Sequence, residues 1–219
     1  MTDTRPTLAI IGGTGALGSG LARRWAKAGY AVVIGSRTPE KAAATAGELA
    51  AVASGPAPRG ANVAEAARIG DVVVVTVPFA SVPATLDEIR PFVAGKLVVD
   101  TTVPLVPPRV ARVQMPSEGS AAIAAQARLG AEARVVAAFQ NVAAHKLQKD
   151  DEIACDVLVC GDKAEDREAV IALAGAAGLR GLHAGPLANA VAAEALTSIL
   201  IGINRTYKVD GAGVRITGF

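Results

Sequence analysis

Aromatic residues are scarce in this chain: one Trp, two Tyr and four Phe among 219 residues. The core therefore has to be assembled mainly from Ala, Val, Leu and Ile, and half of the residues are apolar. Two cysteines, Cys155 and Cys160, leave no disulfide framework and no four-ligand zinc pattern. Two histidines, His145 and His183, add too little for a metal site, so none is expected. A formal net charge of +2 is too small to point to nucleic acid or an anionic membrane as partner. Met1 to Pro6 lacks the basic and apolar regions of a secretory signal. The most apolar late stretch, Ala190 to Ile203, is too short to span a membrane, and Glu194 and Asn204 interrupt or bound it. A buried or dimer-facing helix in a cytoplasmic protein is the expectation. There is no short-period repeat and no low-complexity tract.

What is present alternates between apolar runs and alanine-rich, helix-compatible segments, the pattern of an α/β architecture. Thr7 to Ile11 is a short apolar run ending at glycine, as a buried parallel strand should. A helix is expected from Ala16 to about Ala28, and a second strand over Ala31–Ile34. Pro39 opens a long helix with Thr38 as N-cap and proline at its first position. Ser54–Gly60 reads as a Pro/Gly-rich loop, and Asn62 with Glu65 three positions on as a helix cap. Val72–Val77, Leu97–Asp100 and Val135–Ala138 read as further buried strands. Asp156–Cys160 resumes the sheet pattern, a helix capped by Gly161-Asp162 runs to about Ala177, and Leu179–His183 closes the strand series. A final helix covers roughly Leu187–Tyr207. At this length the chain forms one domain with a small appendage, or one large domain.

Gly13-Thr14-Gly15-Ala16-Leu17-Gly18 fits G-x-G-x-x-G and lies between the first strand and the first helix. There the glycines allow a tight turn, backbone approach to a pyrophosphate and close helix–strand packing. The helix N-terminus offers unpaired N–H groups to phosphate. At the end of the second strand, NAD enzymes usually place Asp or Glu for the ribose 2′-hydroxyl. This chain has Gly35-Ser36-Arg37-Thr38, with Lys41 one turn into the next helix. Arg37 can pair with a 2′-phosphate and lie over the adenine, and Ser36 can donate to it. NADP is the cofactor that this turn selects, unless Arg37 and Lys41 are only solvated surface charges.

Further segments show a likeness that covers nearly the whole chain. They include Val77-Pro78, Glu118-Gly119-Ser120-Ala121-Ala122, Asp156-Val157-Leu158-Val159 and Gly185-Pro186-Leu187-Ala188-Asn189-Ala190. Glu194-Ala195-Leu196-Thr197, Ile203-Asn204-Arg205, Tyr207-Lys208 and Gly213-Val214-Arg215 continue it. With Gly12-Gly13-Thr14-Gly15 and Gly35-Ser36-Arg37, the sequence resembles the coenzyme F420-dependent NADP oxidoreductases. The resemblance implies a Rossmann-type doubly wound parallel sheet with a small C-terminal helical subdomain. Residues 1–139 with 154–184 would form the NADP-binding domain, and 140–153 with 185–219 the small second domain completing the cleft. It further implies a homodimer, and reversible hydride exchange between NADP(H) and the deazaflavin F420 as co-substrate. Val77 and Pro78, Pro104 and Leu105, and the Gln140–Ala143 segment with Val142 would line the cleft. Two departures fall on the acceptor side. Gln140 stands where bacterial relatives carry His, often followed by another His at Asn141. Thr101-Thr102-Val103 precedes Pro104, where relatives often carry Asn.

Hydride exchange between two ring systems needs little from protein acids and bases, so no catalytic side chain is assigned. Two other readings of the same residues stay open. One is an NADPH-dependent reductase of a small carbonyl, imine or pterin-like substrate, for which His145, Lys146 and Lys208 are the available proton donors. The other is a non-catalytic NADP-binding sensor. His145 and Lys146 sit in a polar stretch that reads as solvated surface, and Lys208 as a helix C-terminal cation. Trp25 reads as packing, and the cysteines as small apolar fillers. Asn189 and Thr197 lie where either the cleft or a subunit interface could use them.

Overall fold

The computed structural model describes residues 5–218. Met1–Thr4, and with them most of the opening read for a secretory signal, lie outside the described residues, as does Phe219. The main sheet has six parallel strands: β1 (Leu8–Ile11), β2 (Val32–Gly35), β3 (Arg59–Ala61), β4 (Val72–Val75), β5 (Leu97–Asp100) and β6 (Arg134–Ala137). Their order is β3-β2-β1-β4-β5-β6, the doubly wound dinucleotide-binding order. Every residue of β1, β2, β4 and β5 is buried. Helices cover both faces, which is why these strands read as unbroken apolar runs rather than alternating ones.

One face packs against α1 (Ala16–Lys27), α2 (Pro39–Ala50) and, further along, α7 (Ala164–Ala176). The other packs against α3 (Val63–Ile69), α4 (Val82–Ile89) and α5 (Ala121–Leu129). Trp25 is fully buried on the first face, edge-on to Phe139 at 5.9 Å, and its indole N–H donates to the Leu173 carbonyl at 2.8 Å. That is the packing role expected for it. Asn62 caps α3 as read, its side chain accepting from the Glu65 amide at 2.8 Å.

Three expectations are corrected. The Ser54–Gly60 loop gives way at Arg59 to edge strand β3, paired with β2 from Val33↔Arg59 to Gly35↔Ala61. Gly60 lies so close to α2 that a Cβ would stand 2.4 Å from the Ala43 nitrogen. A three-residue strand built around such a glycine shows no strand pattern in sequence. The later strands β7 (Asp156–Val159) and β8 (Arg180–His183) do not extend the main sheet. They pair with each other in parallel and meet β6 through an antiparallel bridge between Ala137 and Cys160. Finally, helix α8 (Ala190–Tyr207) and the 3-10 turn before it form a 21-residue apolar stretch, long and apolar enough to cross a membrane by length and composition. The apolar count taken in sequence stopped at Ala190 and Ile203, short of the full Leu187–Tyr207 stretch.

One face of α8 is fastened to the domain by polar contacts. Glu194 accepts from the backbone amides of Ala121 (2.7 Å) and Ala122 (3.1 Å) at the start of α5. The Asn141 side-chain amide donates to the Ala193 carbonyl at 2.8 Å, and the Thr197 hydroxyl donates to the Gln140 carbonyl at 2.9 Å. The short helix α6 (Ala144–Leu147) follows that turn and packs on α1, and Gln148 just beyond it donates to the Ala16 carbonyl at 3.0 Å. The tail is held at β7, where the Asp156 amide donates to Val214 and the Ile216 amide donates to the Asp156 carboxylate.

Candidate active site

A cleft of about 520 Å³ opens over the C-terminal ends of β1, β2, β4, β5 and β6. Sheet order reverses between β1 and β4, and crevices at such points hold ligands in open α/β sheets. Gly12, φ +84°, turns the chain out of β1; a Cβ there would stand 2.9 Å from Val77 Cγ1. The tight-turn role thus falls on Gly12, one residue before the fingerprint's first glycine. Gly13 faces the protein interior, its absent Cβ 2.8 Å from the Ile10 carbonyl and 3.0 Å from Ile34. Gly18 brings α1 against β4, where a Cβ would meet Thr76 Oγ1 at 2.5 Å. Gly15 is the N-cap of α1, with no side-chain cap and no acidic residue in the first turn. The helix's first amides are left to a ligand, which suits a pyrophosphate.

Thr14, Gly15, Ala16, Leu17, Ser36, Arg37, Val77, Pro78, Leu105, Gln140 and Val142 all line this one cleft. Three residues expected at the site do not line it: Gly13 is packed inward, Pro104 is buried beside Leu105, and Lys41 is exposed on the first turn of α2. His145 pairs with Asp210 at 2.9 Å on the surface, and Lys208 is the left-handed C-cap of α8. Neither lines the cleft, nor does Lys146. Asn189 turns to the Ala184 carbonyl instead, whereas Thr197 reaches the cleft.

The floor contains Thr101 and Thr102, noted in sequence only as a departure, and two residues that pattern reading passed over, Thr76 and Phe139. The Thr76 and Thr101 hydroxyls donate to the strand carbonyls of Ile11 and Val75, each at 2.9 Å. Phe139 is buried with φ +72°, an uncommon conformation for an aromatic residue. It swings the chain from β6 into Gln140, whose side-chain amide donates to the Asp100 carbonyl at 2.9 Å. The only sequence signal in this region was the departure at Thr101-Thr102 and Gln140-Asn141. Nothing in residue spacing shows that a left-handed Phe139 precedes it.

Two acids lie behind this floor. Burial pushes the Asp100 carboxyl up to about 6, against the pull of the Thr102 amide, which donates to it at 2.9 Å, and of the Thr102 hydroxyl beside it. Burial likewise pushes Glu194 up to about 7; the Ala121 and Ala122 amides oppose this, and the charge of Asp100 adds to it. Cys160 is raised to about 11 by burial. As a buried thiol it is a small filler rather than a nucleophile.

Comparison with known proteins decides the family. The F420-dependent NADP reductase of Methanocaldococcus jannaschii is 38% identical over 222 residues, covering 96% of this chain and 97% of that protein. The F420-dependent NADP reductase of Methanothermobacter thermautotrophicus is 40% identical over 218 residues, covering 96% of this chain and 94% of that one.

The chain belongs to the F420-dependent NADP reductase family.

A family profile described as NADP oxidoreductase, coenzyme F420-dependent, matches residues 7–104. That span runs from β1 past β5 and includes the phosphate turn, Ser36-Arg37 and Val77-Pro78. Among solved structures, a candidate f420 dependent nadp-reductase from Arthrobacter sp. fb24 superposes with a TM-score of 0.77 at 25% identity. It covers 97% of this chain and 98% of that one. The family's fold is thus present throughout, with Gln140 and Thr102 among the polar groups that line the cleft.

Proposed function

We propose that this protein is an NADPH:F420 oxidoreductase, exchanging a hydride between NADP(H) and the deazaflavin coenzyme F420. The observation that carries the reading is a single cleft, in a chain of this family, with an uncapped helix N-terminus and Ser36-Arg37 at one end. Val77, Pro78, Leu105, Gln140 and Val142 lie at the other. The α1 amides and Gly15 would take the pyrophosphate, and Arg37 with Ser36 the 2′-phosphate. Lys41, exposed one turn into α2, is a further cation for that phosphate, and Gly13 and Pro104 support the lining from behind.

Both rings bring their own redox chemistry; the protein's part is to hold them face to face and keep water out. The apolar side chains Leu17, Val77, Phe79, Leu105 and Val142 supply dry walls for that purpose. Bringing donor and acceptor carbons within about 3–3.5 Å accounts for much of the rate such a site can give. No acid or base need sit at the transferred hydrogen.

The proposed division of labour gives the nucleotide to residues 1–139 with 154–184, and the second wall to 140–153 with 185–219. The hydrogen bonds from Asn141 and Thr197 that tie the Gln140 turn to α8 support treating those pieces as one unit. A homodimer joined through α8, working in the cytoplasm, completes the reading. Rapid mixing of NADPH with oxidised F420 tests the function, with deazaflavin absorbance as readout. Turnover is expected; NADPH binding with no deazaflavin reduction would overturn it in favour of another acceptor.

A further inference from the structure

Among the described residues, three buried side-chain oxygens have no hydrogen-bond partner in the protein: Asp100 Oδ2, Thr102 Oγ1 and Gln140 Oε1. Buried polar atoms are ordinarily paired, so three together call for an explanation. All belong to one small constellation. The Thr102 amide donates to Asp100 Oδ1, and Gln140 Nε2 donates to the Asp100 carbonyl. That carbonyl can only accept, so it fixes the orientation of the Gln140 amide with Nε2 inward and Oε1 as the spare acceptor. The Thr102 hydroxyl is not committed to a strand carbonyl, unlike the neighbouring Thr76 and Thr101 hydroxyls; it lies toward the Asp100 carboxylate without reaching full hydrogen-bond geometry. Thr102 and Gln140 both line the cleft, and each is more than nine-tenths buried.

We propose that Gln140 Oε1 and the Thr102 hydroxyl form a recognition site for an amide edge, an N–H beside a C=O, on a ring bound in the cleft. The acceptor takes the N–H, and the hydroxyl turns from the Asp100 carboxylate to donate to the C=O. Asp100 is the positioning residue that holds Thr102 through Oδ1. This rests on the reading of the cleft as a two-ring site, and both rings carry the required chemistry. The nicotinamide has a carboxamide, and the deazaflavin has an N–H between two carbonyls in its pyrimidine ring. A site built to pair with a polar edge strongly rejects an analogue that lacks it, because its own buried groups are then left unpaired.

The experiment compares each parent ligand with an analogue that lacks the N–H. NADPH is set against its 3-acetylpyridine analogue by equilibrium titration, and the deazaflavin against its N3-methyl form by steady-state KM. Wild-type protein should disfavour one of the two analogues by about tenfold or more. Thr102→Val and Gln140→Leu should each shrink that ratio towards one while leaving the NADPH-over-NADH preference intact, which shows the fold is sound. Asp100→Ala should shrink it and Asp100→Asn, which keeps the Oδ1 acceptor, should restore it. Discrimination in the first pair assigns the edge to the nicotinamide, and in the second to the deazaflavin. Equal acceptance of both analogues by wild type, or full discrimination surviving in the variants, overturns the proposal. Failure of wild type to bind NADPH at all would remove the functional reading itself, and this proposal with it.

Discussion

Arg37 is exposed at the rim of the cleft on the turn leaving β2, in the place where an acidic residue would repel a 2′-phosphate. Charge-assisted bonds of this kind contribute about 1.5–3 kcal/mol, so Arg37→Ala should weaken NADPH binding roughly tenfold to a hundredfold. NADH binding should hardly change; a wild-type preference for NADH would sink the assignment. Asp100 supports a second prediction, with its sign set by burial. Its carboxyl is raised to about 6, above the ordinary value of about 3.9, so the native state binds this proton more tightly than the unfolded chain does. The cost of keeping it ionised is absent below about pH 4, grows between 4 and 6, and is complete above 6. A rise of about two units corresponds to about 3 kcal/mol. Asp100→Asn keeps the acceptor for Thr102 and removes the charge. It should therefore raise the urea midpoint at pH 8 and leave it nearly unchanged at pH 4. Stabilisation of equal size at both pH values would refute the ionisation argument. The fingerprint glycines and Ser36-Arg37 were legible in sequence because each acts within a few residues of its neighbours. The Asp100–Thr102–Gln140 constellation was not, since it joins the ends of two strands forty residues apart.

Helix α8 shows what one buried carboxylate does for the elements it joins. Glu194 accepts two backbone amides at the start of α5, where the helix dipole favours negative charge. Glu194→Ala would leave both amides buried without an acceptor, each costing about 1–3 kcal/mol. A loss of roughly 2–4 kcal/mol is expected on that basis, read as a lower urea midpoint with an unchanged slope. Glu194→Gln keeps one strong acceptor and should lose less. A loss in the alanine variant no larger than in glutamine would mean that the two amides do not need Glu194 and that other contacts hold α8. Strands β1, β2, β4, β5 and β6 were legible as elements because burial on both faces writes them as apolar runs. Edge strand β3 was hidden by its three-residue length, with Arg59 and Gly60 exposed and only Ala61 buried. Strand β7 pairs with β8 apart from the main sheet and meets it at the bridge of Ala137 and Cys160, and strand composition cannot tell which partner a strand takes.

At the scale of the molecule, the doubly wound order follows from the alternation of strands and helices, but the second wall of the cleft does not. Thr197 reaches the Gln140 carbonyl across 57 residues of sequence, so the wall exists only once α8 has docked. That docking uses one face of the helix and leaves the other uncovered. Val191, Ala195, Ile199, Ile203 and Tyr207 recur every fourth residue along it; Val191, Ile199 and Tyr207 are 38%, 50% and 72% exposed, and Ala195 and Ile203 partly so. Ridges with this i, i+4 spacing interdigitate with one another when two helices cross, and an apolar ridge of this length is more than a monomer ordinarily leaves to water. In the homodimer proposed above, the occupant is a second α8, because a two-fold contact matches the ridge with itself. Wild-type protein should scatter light as a dimer at micromolar concentration. Ile199→Glu, at the centre of the ridge and away from the cleft lining, should scatter as a monomer that still binds NADPH, since it places two like charges face to face across the axis. A monomeric wild type, or a variant that remains dimeric, would place the subunit contact elsewhere or nowhere on this helix.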